Sequence, residues 1–267
     1  MADRVISNDG RRLALCHQLD CLVAELRGPP QRLRAAPVNS LGLPVHLESC
    51  LAKLVDAASA DMALIDLLAV TGSGARGKYQ HGWSDLDVLV IAGMAALPRL
   101  RQIRLGIAVE LGGVKLGFTL ITPAECAVGA VTPRVLHALR MLGTGEIVPL
   151  WCRADYAIRV PGHAIDAAES LRDGIRAAVE VRRHIMRGAP DLRGLYKAAA
   201  LLAKVMLRFE GTDCPADDEA LRALLGQSGA AGCSIDQVRG DRTAAERLAL
   251  AVLNAWLAEL PVVGDAK

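Results

Sequence analysis

The stretch Thr71-Gly-Ser-Gly-Ala-Arg-Gly-Lys-Tyr-Gln-His-Gly-Trp-Ser-Asp-Leu-Asp-Val-Leu-Val-Ile-Ala92 decides how this chain is read. An apolar run over 63–70 ends in Gly72-Ser73, a short polar turn follows, and a second apolar run carries Asp85 and Asp87. Side chains alternate along a strand, so two carboxylates spaced by two share a face. Like charges held that close repel unless a cation lies between them, which calls for a divalent metal. A small turn with free backbone N–H groups beside a metal is what a phosphate needs. The ligand implied is a nucleoside triphosphate with magnesium.

Three motifs are written over the same glycines. Gly72-Ser-Gly74-Ala-Arg-Gly77 fits the GxGxxG of dinucleotide-binding folds, and continuing to Gly77-Lys78 fits a P-loop except that Tyr79 stands where Ser or Thr is required. Both need a strand before the loop and a long crossover helix after it. The segment between Gly77 and the next strand contains Gly82 and Trp83 and is too short for that helix. Tyr79 also lacks the small hydroxyl that a P-loop places on magnesium.

The third pattern uses every residue: Gly72-Ser73, a spacer holding Arg76, then Ser84-Asp85-Leu86-Asp87 entering an apolar strand. It resembles the signature of the nucleotidyltransferase superfamily that includes DNA polymerase beta. Over residues 63–92 it is most similar to the aminoglycoside adenylyltransferases and the related minimal nucleotidyltransferases, with their "GSxARG…SDxD" form. The resemblance implies that Gly72, Ser73, Arg76 and Ser84 bind the triphosphate. It also implies that Asp85 and Asp87 are catalytic and hold one or two magnesium ions. The reaction implied is transfer of a nucleoside monophosphate, AMP from ATP or the equivalent from another triphosphate, to a small-molecule or protein acceptor. In that chemistry the metal aligns the attacking hydroxyl and stabilises the pyrophosphate leaving group.

The family normally places a third acidic residue on the following strand. Here that strand reads Val114-Lys-Leu-Gly-Phe-Thr-Leu-Ile-Thr122, with no Asp or Glu, and the expected position falls near Gly117 or Thr119. Three outcomes stay open. A carboxylate from elsewhere serves as base, with Glu110 and Glu125 flanking the strand and Glu169, Asp173 and Glu180 in the C-terminal helices. Two carboxylates suffice for an acceptor that loses its proton easily. Or the protein is a catalytically impaired, nucleotide-binding or antitoxin-like regulator of the same fold. The arginine–histidine motif of HEPN-type ribonucleases, partners of such regulators, is absent here, since Arg176 and Arg182 are wrongly spaced from His184.

Working outward, the spacing predicts helices over 11–27, 45–58 and 97–111, strands over 63–70, 86–92 and 114–122, and shorter helices over 124–129 and 133–142. Residues 151–160 read as a connector, and Pro161-Gly162 as a boundary. Beyond it one face repeats through Leu171, Ile175, Ala178 and Ile185, another through Leu195, Leu202, Val205 and Phe209, and 217–226 and 243–260 supply two more helices. The expected fold class is an α/β (α+β) nucleotidyltransferase domain with a small mixed sheet, followed by an all-α helical bundle. The expected divisions are an N-terminal helical segment over 1–42, the nucleotidyltransferase domain over 43–158 and the helical domain over 159–267.

Composition narrows the partners. A chain of 267 residues with a net charge of +2 and 3% aromatics carries no strong nucleic-acid signal. Arginines cluster at Arg99–Arg104 and Arg182–Arg187, which read as solvated helix faces. The seven cysteines form no CxxC pair, which argues against a zinc ribbon or a disulfide scaffold. The N-terminus lacks an apolar signal core, and no run approaches the ~18 apolar residues of a membrane span, so a cytoplasmic protein off the membrane is expected. A homodimer is compatible with this reading. His81 and Trp83 in the spacer, and Lys197 and Lys204, seven apart and so on one face of a helix, are further candidates for nucleotide contact, each weighed against ordinary exposure or packing.

Overall fold

The computed structural model describes residues 31–60, 64–128, 130–158, 160, 167–187, 191–210, 212, 216–228 and 235–259. The expected helix over 11–27, the Pro161-Gly162 boundary and Cys16, Cys21, Cys214 and Cys233 lie outside them. The chain divides into two units, residues 1–164 and 165–267.

In the first unit the elements run β1 (Gln31–Arg32), α1 (Val45–Ala60), β2 (Ile65–Thr71), the single turn α2 (Gly72–Ala75), β3 (Leu86–Ala92) and α3 (Leu97–Ile107). They continue with β4 (Leu116–Ile121), α4 (Pro123–Val128), α5 (Pro133–Arg140), β5 (Val148–Cys152) and β6 (Ala157–Ile158). Four strands form a mixed sheet in the order β4-β3-β2-β5, while β1 and β6 pair separately. β2 is antiparallel to both β3 and β5, and β3 is parallel to β4.

The two apolar runs are the central strands, which explains why they lack a polar alternate: both faces are covered. Leu68, Val70, Val88 and Val90 pack on one face with Leu47, Leu51 and Leu54 of α1 and Leu100 and Ile107 of α3. Leu67, Ala69, Leu89 and Ile91 face the other way, against Cys126 of α4 and Leu139 of α5. Cys50 and Cys126 are buried free thiols, and burial pushes the Cys126 thiol up to about 11.

Three expectations are corrected. α3 stops at Ile107, short of the expected residue 111, and the chain leaves it through turns with positive φ at Gly112 and Gly113. Residues 151–160 are not simply a connector, because they contain the end of β5 and all of β6. β5 carries Pro149, which obscures a strand in sequence, but β5 is an edge strand, where a missing N–H is tolerated. The third correction is an added helix in the second unit, below.

Asp66, the polar residue inside β2, is only 7% exposed. It sits at a register shift between Ile65 and Leu67, and its carbonyl accepts the Arg153 N–H at 3.0 Å. Its carboxylate lies 3.0 Å from Arg153 Nη2. Burial raises the carboxyl's pKa, and the nearby guanidinium opposes that rise. Asp66 and Arg153 thus form an ion pair that ties β2 to the end of β5.

The second unit contains α6 (Ala167–Met186), α7 (Leu192–Phe209), α8 (Asp217–Ser228), the short α9 (Ile235–Gly240), which the sequence pattern does not predict, and α10 (Arg242–Glu259). α7 packs against α6, α8 and α10, and its buried Leu195, Leu202, Val205 and Met206 explain the spacing seen in the sequence. Asp218 of α8 accepts hydrogen bonds from Tyr196 Oη of α7 and from Arg239 Nη2 of α9, the latter at 2.9 and 3.0 Å. Lys204 pairs with Asp217 at 2.5 Å, so it braces α7 against α8.

Gly174 lies where α6 meets the buried ring of Trp256 on α10, and a Cβ there would collide with that ring. An indole held in a core cannot swing aside cheaply. Gly174→Ala is therefore expected to destabilise the chain by about 1–3 kcal/mol, read as a lower urea midpoint; an unchanged midpoint would show that the ring has room to move. Among the described residues no helix is long and apolar enough to cross a membrane.

Candidate active site

The site is built where β2 ends and β3 begins. Thr71 pairs with Asp87 across the two strands, and the chain then turns at Gly72 with φ +69°, a conformation that favours glycine. A Cβ on Gly72 would sit 3.4 Å from Asp87 Oδ2, so the turn lies directly against that carboxylate. Gly74 is buried because Val70, Leu86 and Leu43 leave little room for a side chain. The loop closes through Lys78 N–H donating to Ser73 O at 3.0 Å, and Gly77, with φ +64°, permits the bend.

The spacer is held by its own hydrogen bonds. Gln80 N–H donates to Ser84 Oγ at 2.9 Å, and Gln80 O accepts from Ser84 N–H at 2.8 Å and Trp83 N–H at 3.1 Å. Ser84 therefore closes the spacer locally, His81 is exposed, and Trp83 is half-buried. Leu86 N–H donates to Lys115 O at 3.0 Å, which ties the chain just after Asp85 to the start of β4. Asp85 and Asp87 are both half-buried.

The parallel pairing of β3 with β4 sets Gly117 opposite Asp87. A Cβ at Gly117 would collide with Asp87 Oδ1. The sequence pattern marks 117 only as a place where an acid is missing. Structure gives the glycine a positive role, since Asp87 occupies the space its side chain would take. Thr119, the other expected acidic position, is exposed and pairs with Leu89.

Other carboxylates proposed for the missing acid are engaged elsewhere. Glu110 takes Lys53 Nζ at 2.5 and 2.6 Å. Glu125 accepts from Thr122 N–H at 2.7 Å and Thr122 Oγ1 at 2.8 Å, which lowers its pKa and caps the helix that follows. In the second unit Asp173 lies 3.8 Å from Arg176, and Glu180 bonds Arg183, while the Glu169 side chain lies outside the described residues. Among the described residues no cluster of three or more His, Cys, Asp or Glu could hold a metal alone. Magnesium is commonly held by one or two carboxylates with substrate phosphates completing its shell. Asp87, pressed between the Gly72 turn and Gly117, fits that mode.

Arg76 ends the one-turn α2, and its side chain is 15% exposed. Its Nη1 lies 3.6 Å from Oε2 of Glu146, a residue sequence reading passes over. Glu146 follows the Gly143-Thr144-Gly145 break and precedes β5, whose Pro149 hides the strand that would have signalled it.

No family model matches the chain, and no curated protein does. Its structure is similar to the crystal structure of spectinomycin adenyltransferase AAD(9) from Enterococcus faecialis with ATP and spectinomycin, at 14% identity and a TM-score of 0.50. The match covers 79% of this chain and 99% of that one. The chain thus has the fold of a nucleotidyltransferase of the aminoglycoside adenylyltransferase type, an α/β domain with a mixed sheet joined to helices.

Proposed function

We propose that the chain is a magnesium-dependent nucleotidyltransferase that moves AMP from ATP onto a small-molecule acceptor. The observation that carries this reading is the seat of Asp87, with Oδ2 against the Gly72 turn and Oδ1 against Gly117. That seat supports reading Asp87 as a metal ligand and the Gly72 turn beside it as the phosphate site. Gly72 and Ser73 receive the triphosphate through backbone N–H groups and a hydroxyl, Ser84 fixes the spacer, and Arg76 supplies planar donors to a phosphate oxygen. Asp85 and Asp87 hold the magnesium, which when bound neutralises phosphate charge and supports departure of pyrophosphate. An acceptor oxygen or nitrogen forms a bond to the α-phosphorus, the bond to the bridging oxygen of pyrophosphate breaks, and the acceptor's proton passes to a base.

The similar structure was obtained with ATP and spectinomycin, which supports ATP as donor and spectinomycin as the first acceptor to try. Incubating the chain with magnesium, α-labelled ATP and an acceptor panel is expected to release pyrophosphate and label one acceptor. No label and no pyrophosphate, with Mg-ATP still bound in a calorimetric titration, would instead establish the second reading, a nucleotide-binding regulator. That alternative is favoured by one observation: β4 supplies no acid, and a side chain at Gly117 would displace the Asp87 carboxylate.

A further inference from the structure

The contact between Arg76 and Glu146 is complete as an ion pair and incomplete as a hydrogen bond. Arg76 Nη1 and Glu146 Oε2 are 3.6 Å apart, beyond the roughly 2.7–3.2 Å of an N–H···O bond. Oε2 and Arg76 Nε are both buried with no hydrogen-bond partner. Two opposite charges free to approach would close to about 2.8 Å. Each is restrained by its own backbone. The Ser73–Lys78 hydrogen bond ties the loop that carries Arg76. Glu146 stands two residues before β5, beside Ile147, whose bridge to Leu142 holds the backbone there. The residue that ends the one-turn α2 thus carries a guanidinium with an unused buried donor, facing an anion that attracts it without bonding it.

We propose that Glu146 is a positioning residue that holds Arg76 in reserve for a phosphate, and that a triphosphate oxygen replaces the carboxylate when nucleotide binds. This rests on the nucleotide-binding reading above and adds a resident competitor to it. The guanidinium offers planar, directional donors that match a phosphate oxygen. Exchange trades a through-space attraction for charge-assisted hydrogen bonds, so nucleotide wins, but each binding event must first displace Glu146. Nucleotide affinity is lowered by the fraction of molecules in which Arg76 is engaged.

The test is a double-mutant cycle read by calorimetric titration of the full chain with Mg-ATP. Glu146→Gln keeps the shape and removes the charge, and is expected to tighten binding about two- to five-fold, the scale of a partly exposed ion pair. Arg76→Ala is expected to weaken binding, and adding Glu146→Gln to it is expected to change nothing further. Glu146→Asp, which keeps the charge, is expected to fall between Gln and wild type, and it serves equally if the Gln variant folds poorly. A purely structural role would lower thermal stability without tightening binding. Unchanged or weaker binding in Glu146→Gln would therefore overturn the proposal, as would a gain that persists without Arg76 or an Asp variant as tight as Gln. A wild-type chain that binds no Mg-ATP would refute the nucleotide reading itself, and this proposal with it.

Discussion

Asp87→Ala is expected to lower nucleotidyl transfer by about 10³-fold or more, the scale seen when a group that stabilises transition-state charge is removed. Its carboxylate lies against the Gly72 turn on one side and Gly117 on the other. Asp85→Ala is expected to act in the same direction. Asp85 precedes β3 and Asp87 is its second residue, both half-buried and neither part of the apolar core, so the variants are expected to keep the wild-type thermal unfolding midpoint. Pyrophosphate release measured beside the thermal midpoint checks this. Full activity in both folded variants would remove the site.

Gly117→Ala is expected to cost about 10²-fold in activity with little loss of stability. The atom its Cβ would strike is the far end of the Asp87 side chain, which can rotate away without disturbing the sheet. Rotation relieves the collision and at the same time moves the carboxylate out of its seat. The requirement for magnesium is expected to rise in step, since a displaced ligand binds metal less well. Thr119→Ala, one pleat further on an exposed position, is expected to retain activity and serves as the control. A Gly117→Ala variant within about three-fold of wild type would show that Asp87 is not held in a productive orientation.

These two positions also show why one strand reads so differently in sequence and in structure. In Leu116–Ile121 the sequence pattern exposes an absence, a strand without its acid. It does not show that the neighbouring strand already fills the vacant place. That fact depends on the parallel register of β3 and β4, and a one-residue slip would turn both faces over. The same limit applies to Glu110 and Glu125. Both look available in sequence because they flank the strand. Lys53, far away in the chain, occupies Glu110, and Thr122 at the head of its own helix occupies Glu125. The edge strand β5 escapes for a local reason, since Pro149 suppresses the strand signal although edge position makes it harmless.

Residues near one another in the chain are therefore the ones sequence alone determined here: the Gly72-Ser73 turn, the Asp85-Leu86-Asp87 entry to an apolar strand, the two buried central strands and the helical second unit. Turn chemistry, period-two alternation and helical spacing are short-range, so they survive without a fold. Tertiary structure alone decided that Gly117 makes room for Asp87, that the flanking glutamates are engaged, and that Glu146 stands beside Arg76. These contacts join distant segments through strand register and packing, and no local pattern specifies which segments will meet.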